Sequence, residues 1–374
     1  MRKERERSPR RALVLAGGGT SGGLYEIGVL SALDTLFDGF NVCDFDLYVG
    51  TSAGAFISAL LANHVMPERL RETIETDRRT LPRLSGSQFL SLPWRGYAAM
   101  IVRLGADLPR LAADLALNWR DALVLDSIAS VVARNLPHGV FTLDGLEAYV
   151  RHVLTRAGRT NDFRRLKKRL LVPATVLDTG GVEVFGASRR EKTPISLAVT
   201  ASAAVPMLYQ PVRIAGVDYV DAAVTKTAHA GLAVDAGAKL VVIINPVRPL
   251  VLDSGHRTKI RDGGPAAIAN QAFRIALQRR LQDGLQRHRY EHPDTDLLLF
   301  EPYERDASLF DTPLMTYSLR QEVIRRGYRT TVKVILSDFE RYEAIFARHD
   351  IRLNPKPEVE KRARRWSSQA ARVA

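Results

Sequence analysis

From residue 11 the chain alternates between short unbroken apolar runs and longer stretches with apolar positions every three or four residues. Unbroken runs of about five residues read as buried strands, and the 3.6-residue spacing reads as helix. RALVLA (11–16) is the first such strand, and a glycine-rich run follows it. Leu24, Ile27, Val29, Leu30, Leu33 and Leu36 then predict a helix to about residue 37. FDLYVG (45–50) is a second buried strand, and AGAFISALLANH (53–64) a second helix. Strand, loop, helix, strand, turn, helix is the order of a parallel sheet covered by helices.

Residues about 66–160 break that rhythm. They read as a helical insert interrupted by Pro82, Pro93, Pro109 and Pro137. Within it Leu104, Leu108, Leu111, Leu115 and Trp119 share one stripe, flanked by Arg103, Asp107, Arg110 and Asp114. The stripe fits a helix capping the sheet, or one that touches lipid. Alternation then returns. A strand at 169–178 and VEVFGA (182–187) form a hairpin, Pro194 opens a helix over 194–205, and 212–223 form a second hairpin turning at Ala215–Gly216. KLVVIINP (239–246) is a β-branched buried strand. A helical region at about 265–350 closes the chain around one more strand, TDLLLFEP (295–302).

The fold class is therefore α/β, three layers with a mainly parallel central sheet and a helical insert, in one domain over 12–350. Basic segments at 1–11 and 351–374 read as solvated tails because neither shows apolar periodicity. Net charge is +13, from 54 basic and 41 acidic residues, much of the excess at these ends. Such a balance favours an anionic surface, nucleic acid or lipid head groups. No nucleic-acid-reading module accompanies it. A single cysteine, Cys43, rules out an intrachain disulfide and suits a reducing compartment. No run of 18 apolar residues predicts a membrane span, and the apolar stretch before the glycines is too short for a signal peptide. The expected location is cytoplasmic, with peripheral membrane contact.

Two motifs carry chemistry. GTSAG, Gly50-Thr51-Ser52-Ala53-Gly54, fits G-x-S-x-G between a strand and a helix, the context in which a sharp turn exposes a serine Oγ. A serine that only caps the helix is the plainer alternative. Upstream, Gly17-Gly18-Gly19-Thr20-Ser21-Gly22-Gly23 opens the first helix with bare backbone N–H groups, a setting for an anion. Gly17, Gly19 and Gly22 also match the dinucleotide fingerprint G-x-G-x-x-G. That fingerprint needs an acid at the end of the second strand, and here the strand ends in Gly50-Thr51-Ser52. The anion favoured is a transient oxyanion. For a base, His229 is the best-placed histidine, and Asp221, at the tip of the strand VDYV, is a carboxylate alternative. No metal or other cofactor is implied, because no His/Asp/Glu/Cys cluster with ligand spacing stands out.

Taken together, the glycine loop, the elbow about 30 residues later and Asp221-Ala222 far downstream resemble the patatin-like phospholipases. ASAAVPMLYQPVRIAGVDYVDAAV (201–224) is similar to that family's approach to its aspartate, and the resemblance spans about residues 12–245. It implies a Ser52–Asp221 dyad without a catalytic histidine. It implies an oxyanion hole from Gly17, Gly18, Gly19, Gly22 and Gly23, and a lipid ester, phospholipid foremost, as substrate. Many members carry Arg or Lys inside the loop, where this chain has Ser21, Gly22 and Gly23. An oxyanion would then rest on backbone N–H groups alone. Ala222 stands where glycine is commonest. A lipid-binding protein of weak activity on the same fold is the alternative from a different class.

Overall fold

The computed structural model describes residues 10–75, 91–93, 97–98, 100, 102, 138–187, 190–252, 259–303 and 317–372. Their elements, in chain order, are β1 (Arg11–Leu15), α1 (Gly19–Leu36), β2 (Phe37–Asp38), β3 (Leu47–Gly50), α2 (Ala53–Ala62) and α3 (Pro67–Glu75). Next come α4 (Asp144–Leu154), β4 (Arg169–Val176), β5 (Val182–Phe185), α5 (Ile195–Ser202), β6 (Val212–Ile214), β7 (Val217–Val220), α6 (Gly231–Asp235) and β8 (Leu240–Ile244). The last are α7 (Gly264–Glu291), β9 (Asp296–Phe300), α8 (Tyr317–Ser337), α9 (Phe339–Ala347), β10 (Arg352–Leu353) and α10 (Lys356–Arg372).

The main sheet runs β6-β7-β4-β3-β1-β8-β9, with β5 also on β4. The pairs β4–β3, β3–β1, β1–β8 and β8–β9 are parallel, and the two hairpins join β4 antiparallel. Because strand side chains alternate faces, β1 splits its own core. Leu13 and Leu15 join a cluster with Leu30 and Leu33 of α1 and Ile324 of α8. Ala12 and Val14 join a second cluster with Ala233 of α6 and with Leu281 and Leu285 of α7. Buried on both faces, β1, β3 and β8 carry no polar alternation, as parallel central strands do. The three-layer α/β expectation holds.

On one face α1 lies against α8 with almost no space between the backbones. A Cβ on Gly28 would sit 2.1 Å from the Ile324 carbonyl oxygen, and one on Gly327 2.4 Å from that of Tyr25. These glycines set the depth at which α8 covers α1, and so the seat of the helix that follows the glycine run.

Three expectations change. The helix after the glycines starts at Gly19 rather than near Leu24, so Gly19, Gly22 and Gly23 belong to its first turns. Residues 351–372 are not a solvated tail. Arg352–Leu353 pair with Phe37–Asp38, and α10 buries Val359 and Trp366, whose ring stacks on Tyr328 at 3.7 Å. The stripe Val359, Ala363, Trp366 is helical in spacing, but dense Lys and Arg hide it. Of the insert, α3 and α4 are described, while the Leu104–Trp119 stripe lies outside the described residues.

Candidate active site

Neighbouring parallel strands bring the two motifs together. Leu15 at the end of β1 pairs with Gly50 at the end of β3, so both chains leave the sheet side by side at its C-terminal edge. Thr51 N–H donates to Leu15 O at 2.9 Å, which ties the elbow to the glycine run. The elbow is strained: Ser52 has φ 54° and ψ −122°, a region that a residue with a Cβ rarely visits. Glycines make the turn possible by letting backbone approach. A Cβ on Gly54 would lie 2.5 Å from Leu15 O, and one on Gly50 2.6 Å from Gly54 O.

Ser202, the last residue of α5, holds the strained serine from the far side. Its Oγ accepts the Ser52 backbone N–H at 3.0 Å, and both residues are buried. Nothing in the local sequence signals this contact, because 150 residues separate the partners. Ser52 is also not a side-chain helix cap, since its hydroxyl makes no capping bond to α2.

Gly17 passes directly beside the serine: a Cβ there would be 2.9 Å from the Ser52 Cβ and 3.5 Å from its Oγ. Gly18 (φ 154°) and Gly19 (φ 59°) then turn the chain into α1. Pro246, just past β8, packs on Gly18 and Gly22, while Gly23 meets Ala53 and Ile57 of α2. The first intrahelical bond of α1 runs from Gly22 N–H to Gly18 O, so the preceding N–H groups have no helical acceptor. At α2, Gly54 and Ala55 N–H bond to Thr51 O and Ser52 O, which leaves Ala53 N–H in the same position. Two helix N-termini therefore meet around the Ser52 side chain.

Asp221 reaches the same point from β7. Its N–H donates to Ala204 O at 2.9 Å and its carbonyl accepts from Thr175 Oγ1 at 3.1 Å, which fixes the backbone. Its Oδ1 accepts Ala223 N–H at 2.8 Å, and the Ser52 hydroxyl acts on the same carboxylate. Burial pushes the Asp221 carboxyl up to about 6, against the Ala223 N–H bond and the neighbouring Ser52 hydroxyl, which favour its ionised form. A serine hydroxyl beside a buried, readily protonated carboxylate can shed its proton as a bond forms to Oγ.

His229 sits elsewhere in this loop. A carbonyl can only accept, so its Nε2–H donates to Ala222 O at 3.1 Å. Burial, only partly offset by that bond, holds the ring down at about 4. Its position braces the turn that carries Asp221. Outside the site, His288, Glu291 and His292 place one potential ligand atom each within 4.8 Å of one another.

A family model described as patatin-like phospholipase matches residues 13–234, from β1 through α6. The chain belongs to the patatin-like phospholipases. That places it among lipid ester hydrolases. A search of curated proteins finds no match. Among solved structures, VipD from Legionella pneumophila is similar over 88% of this chain and 67% of its own, at 16% identity and a TM-score of 0.41. The type III effector ExoU is similar at 17% identity and a TM-score of 0.38, over 87% of this chain. The chain spans about half of ExoU, 52% of its length. Full-length ExoU bound to SpcU, from the type III secretion system of Pseudomonas aeruginosa, is similar at a TM-score of 0.30 and 17% identity, over 75% of this chain and 53% of its own. Among the described residues no helix is long and apolar enough to cross a membrane.

Proposed function

We propose that this patatin-like phospholipase cleaves lipid carboxylic esters, phospholipids foremost, with Ser52 as nucleophile and Asp221 as general base. The observation that carries this reading is a carboxylate, Asp221, buried beside the strained and buried Ser52. Ser52 Oγ attacks the ester carbonyl carbon while its proton passes to Asp221. The carbonyl oxygen becomes an oxyanion facing the N–H groups at Gly17, Gly18, Gly19 and Ala53. A single such donor is commonly worth about 10²–10³ in rate. Collapse breaks the ester C–O bond, and Asp221 returns the proton to the leaving alcohol. Water then attacks the acyl-enzyme, giving a proton to Asp221 and releasing the fatty acid as Oγ regains its hydrogen.

Gly22 and Gly23 have a different part in this scheme. They are helical. The missing side chain at Gly22 lets Pro246 close on the loop, and Gly23 lies at ordinary contact distance from α2. The lipid-facing rim is assigned to Val140, Met207 and Leu208. The segments of these exposed apolar side chains are joined through the Phe141 N–H bond to Leu208 O, and Met207 and Leu208 lie a few residues from Ala204, which anchors Asp221. Peripheral contact with an anionic membrane belongs to the same reading and draws on the net charge of +13.

The test is Ser52→Ala and Asp221→Asn, each assayed on p-nitrophenyl butyrate and on phosphatidylcholine vesicles, with fluorophosphonate labelling of the wild type. Loss of turnover by at least about 10³-fold in both variants is expected, with labelling confined to Ser52. Wild-type turnover in either variant overturns the dyad.

A further inference from the structure

The end of α7 and the residue that caps it read HRYEH, His288 to His292. Residues four apart on a helix lie on one face a turn apart, and the residue at the third position joins them. The structure bears this out. One ligand atom each from His288, Glu291 and His292 lie within 4.8 Å of one another, and the two imidazole centroids are 6.1 Å apart. A single ion bound at about 2.0–2.1 Å to each nitrogen needs its donors roughly 3.3 Å apart, so side-chain rotations of about 1.5 Å close the set. The backbone is already braced there, with His292 N–H on His288 O at 2.8 Å and Thr295 N–H on His292 O at 3.0 Å.

A second observation points the same way. His288 Nδ1 is shielded from water and has no hydrogen-bond partner, while the Nε2 side of its ring lies over Gly231 at the start of α6. An imidazole nitrogen kept from water without a partner carries an unmet cost. Burial holds the His288 ring below its usual value and so keeps it neutral, with His292 and Lys226 acting the same way and Asp235 of α6 and Glu291 opposing them. The carbonyls that end α7 add a negative pole.

We propose that His288, Glu291 and His292 form a binding site for a divalent first-row transition ion of the zinc type. Two imidazoles and one carboxylate suit zinc and its neighbours, whereas calcium and magnesium take sets made of oxygen. Three protein ligands leave a fourth position for water. The ion clips the end of α7 at the point where His288 packs on α6, the helix that follows the Asp221 loop. This role is structural and does not depend on the ester chemistry.

The experiment is calorimetric titration of the EDTA-dialysed full chain with Zn²⁺, repeated with Co²⁺ to read its visible absorption. Glu291→Gln, His292→Ala and His288→Ala are compared with the wild type. The first two substitutions fall at the solvent-facing end of the helix, and metal-free melting curves verify that each variant folds. One equivalent binding with Kd below about 100 µM, weakened about tenfold or more by each folded variant, is expected. Weaker binding, or affinity unchanged by Glu291→Gln and His292→Ala, overturns the site. Ester hydrolysis is not the readout, so this result stands apart from the fate of the Ser52–Asp221 reading.

Discussion

Lowering the pH from 8 to 5 tests which group takes the proton of Ser52. A general base works only in its deprotonated form. Burial raises the Asp221 carboxyl to about 6, so about 99% of it is ready at pH 8 and about 9% at pH 5. The expected consequence is a fall in kcat/KM of about elevenfold. An aspartate at the ordinary 3.8 would still be about 94% ionised at pH 5, and His229, held near 4 by its own burial, about 91% neutral. The acid limb therefore separates a buried aspartate from both a solvated one and the histidine. The assay is kcat/KM on p-nitrophenyl butyrate from pH 4.5 to 8.5 at constant ionic strength, with circular dichroism at each pH. A limb at or below about 4.5 refutes the assignment. Stability carries the same signature. A carboxyl raised on folding contributes fully below its unfolded value of 3.8, and the contribution is lost as pH rises through about 6. Asp221→Asn cannot ionise, so it gains on the wild type across that window, by up to about 3 kcal/mol at neutral pH for two pH units at 1.36 kcal/mol each.

Two further substitutions probe the frame around the site. Ser202→Ala strands the Ser52 N–H in a buried setting, at a cost of about 1–3 kcal/mol, and should lower kcat and the rate of fluorophosphonate labelling while leaving KM near wild type. An unchanged labelling rate would show that α5 does not position the nucleophile. Gly28→Ala places a Cβ 2.1 Å from Ile324 O and forces α8 off α1, destabilising the fold by about 3 kcal/mol in urea unfolding. A loss under about 0.5 kcal/mol would mean that the crossing is looser than the backbone spacing states.

What the sequence discloses about this site depends on how far apart its parts lie along the chain. The elbow is legible because its strand, its glycines and its helix are contiguous, and the same turn argues against the dinucleotide fingerprint by ending in Ser52 instead of an acid. The glycine run is legible as an anion site, yet its internal division is not. Apolar spacing starts the helix at Leu24, whereas α1 begins at Gly19, in a stretch of glycines that carries no apolar signal and whose neighbours Pro246 and α2 are distant in sequence. Ser202 was beyond reach for the same reason: its partner is set by the packing of α5 against the sheet. The C-terminal helix and the grouping of His288 with Glu291 and His292 are hidden for a different reason. Both sit in strongly charged stretches, where Lys and Arg dominate the pattern while one stripe packs beneath them, as Val359 and Trp366 do. Charge density thus conceals burial in helices whose aliphatic stems cover the core, and the search for docked or ligand-holding faces in such segments belongs with positions three and four apart, not with mean polarity.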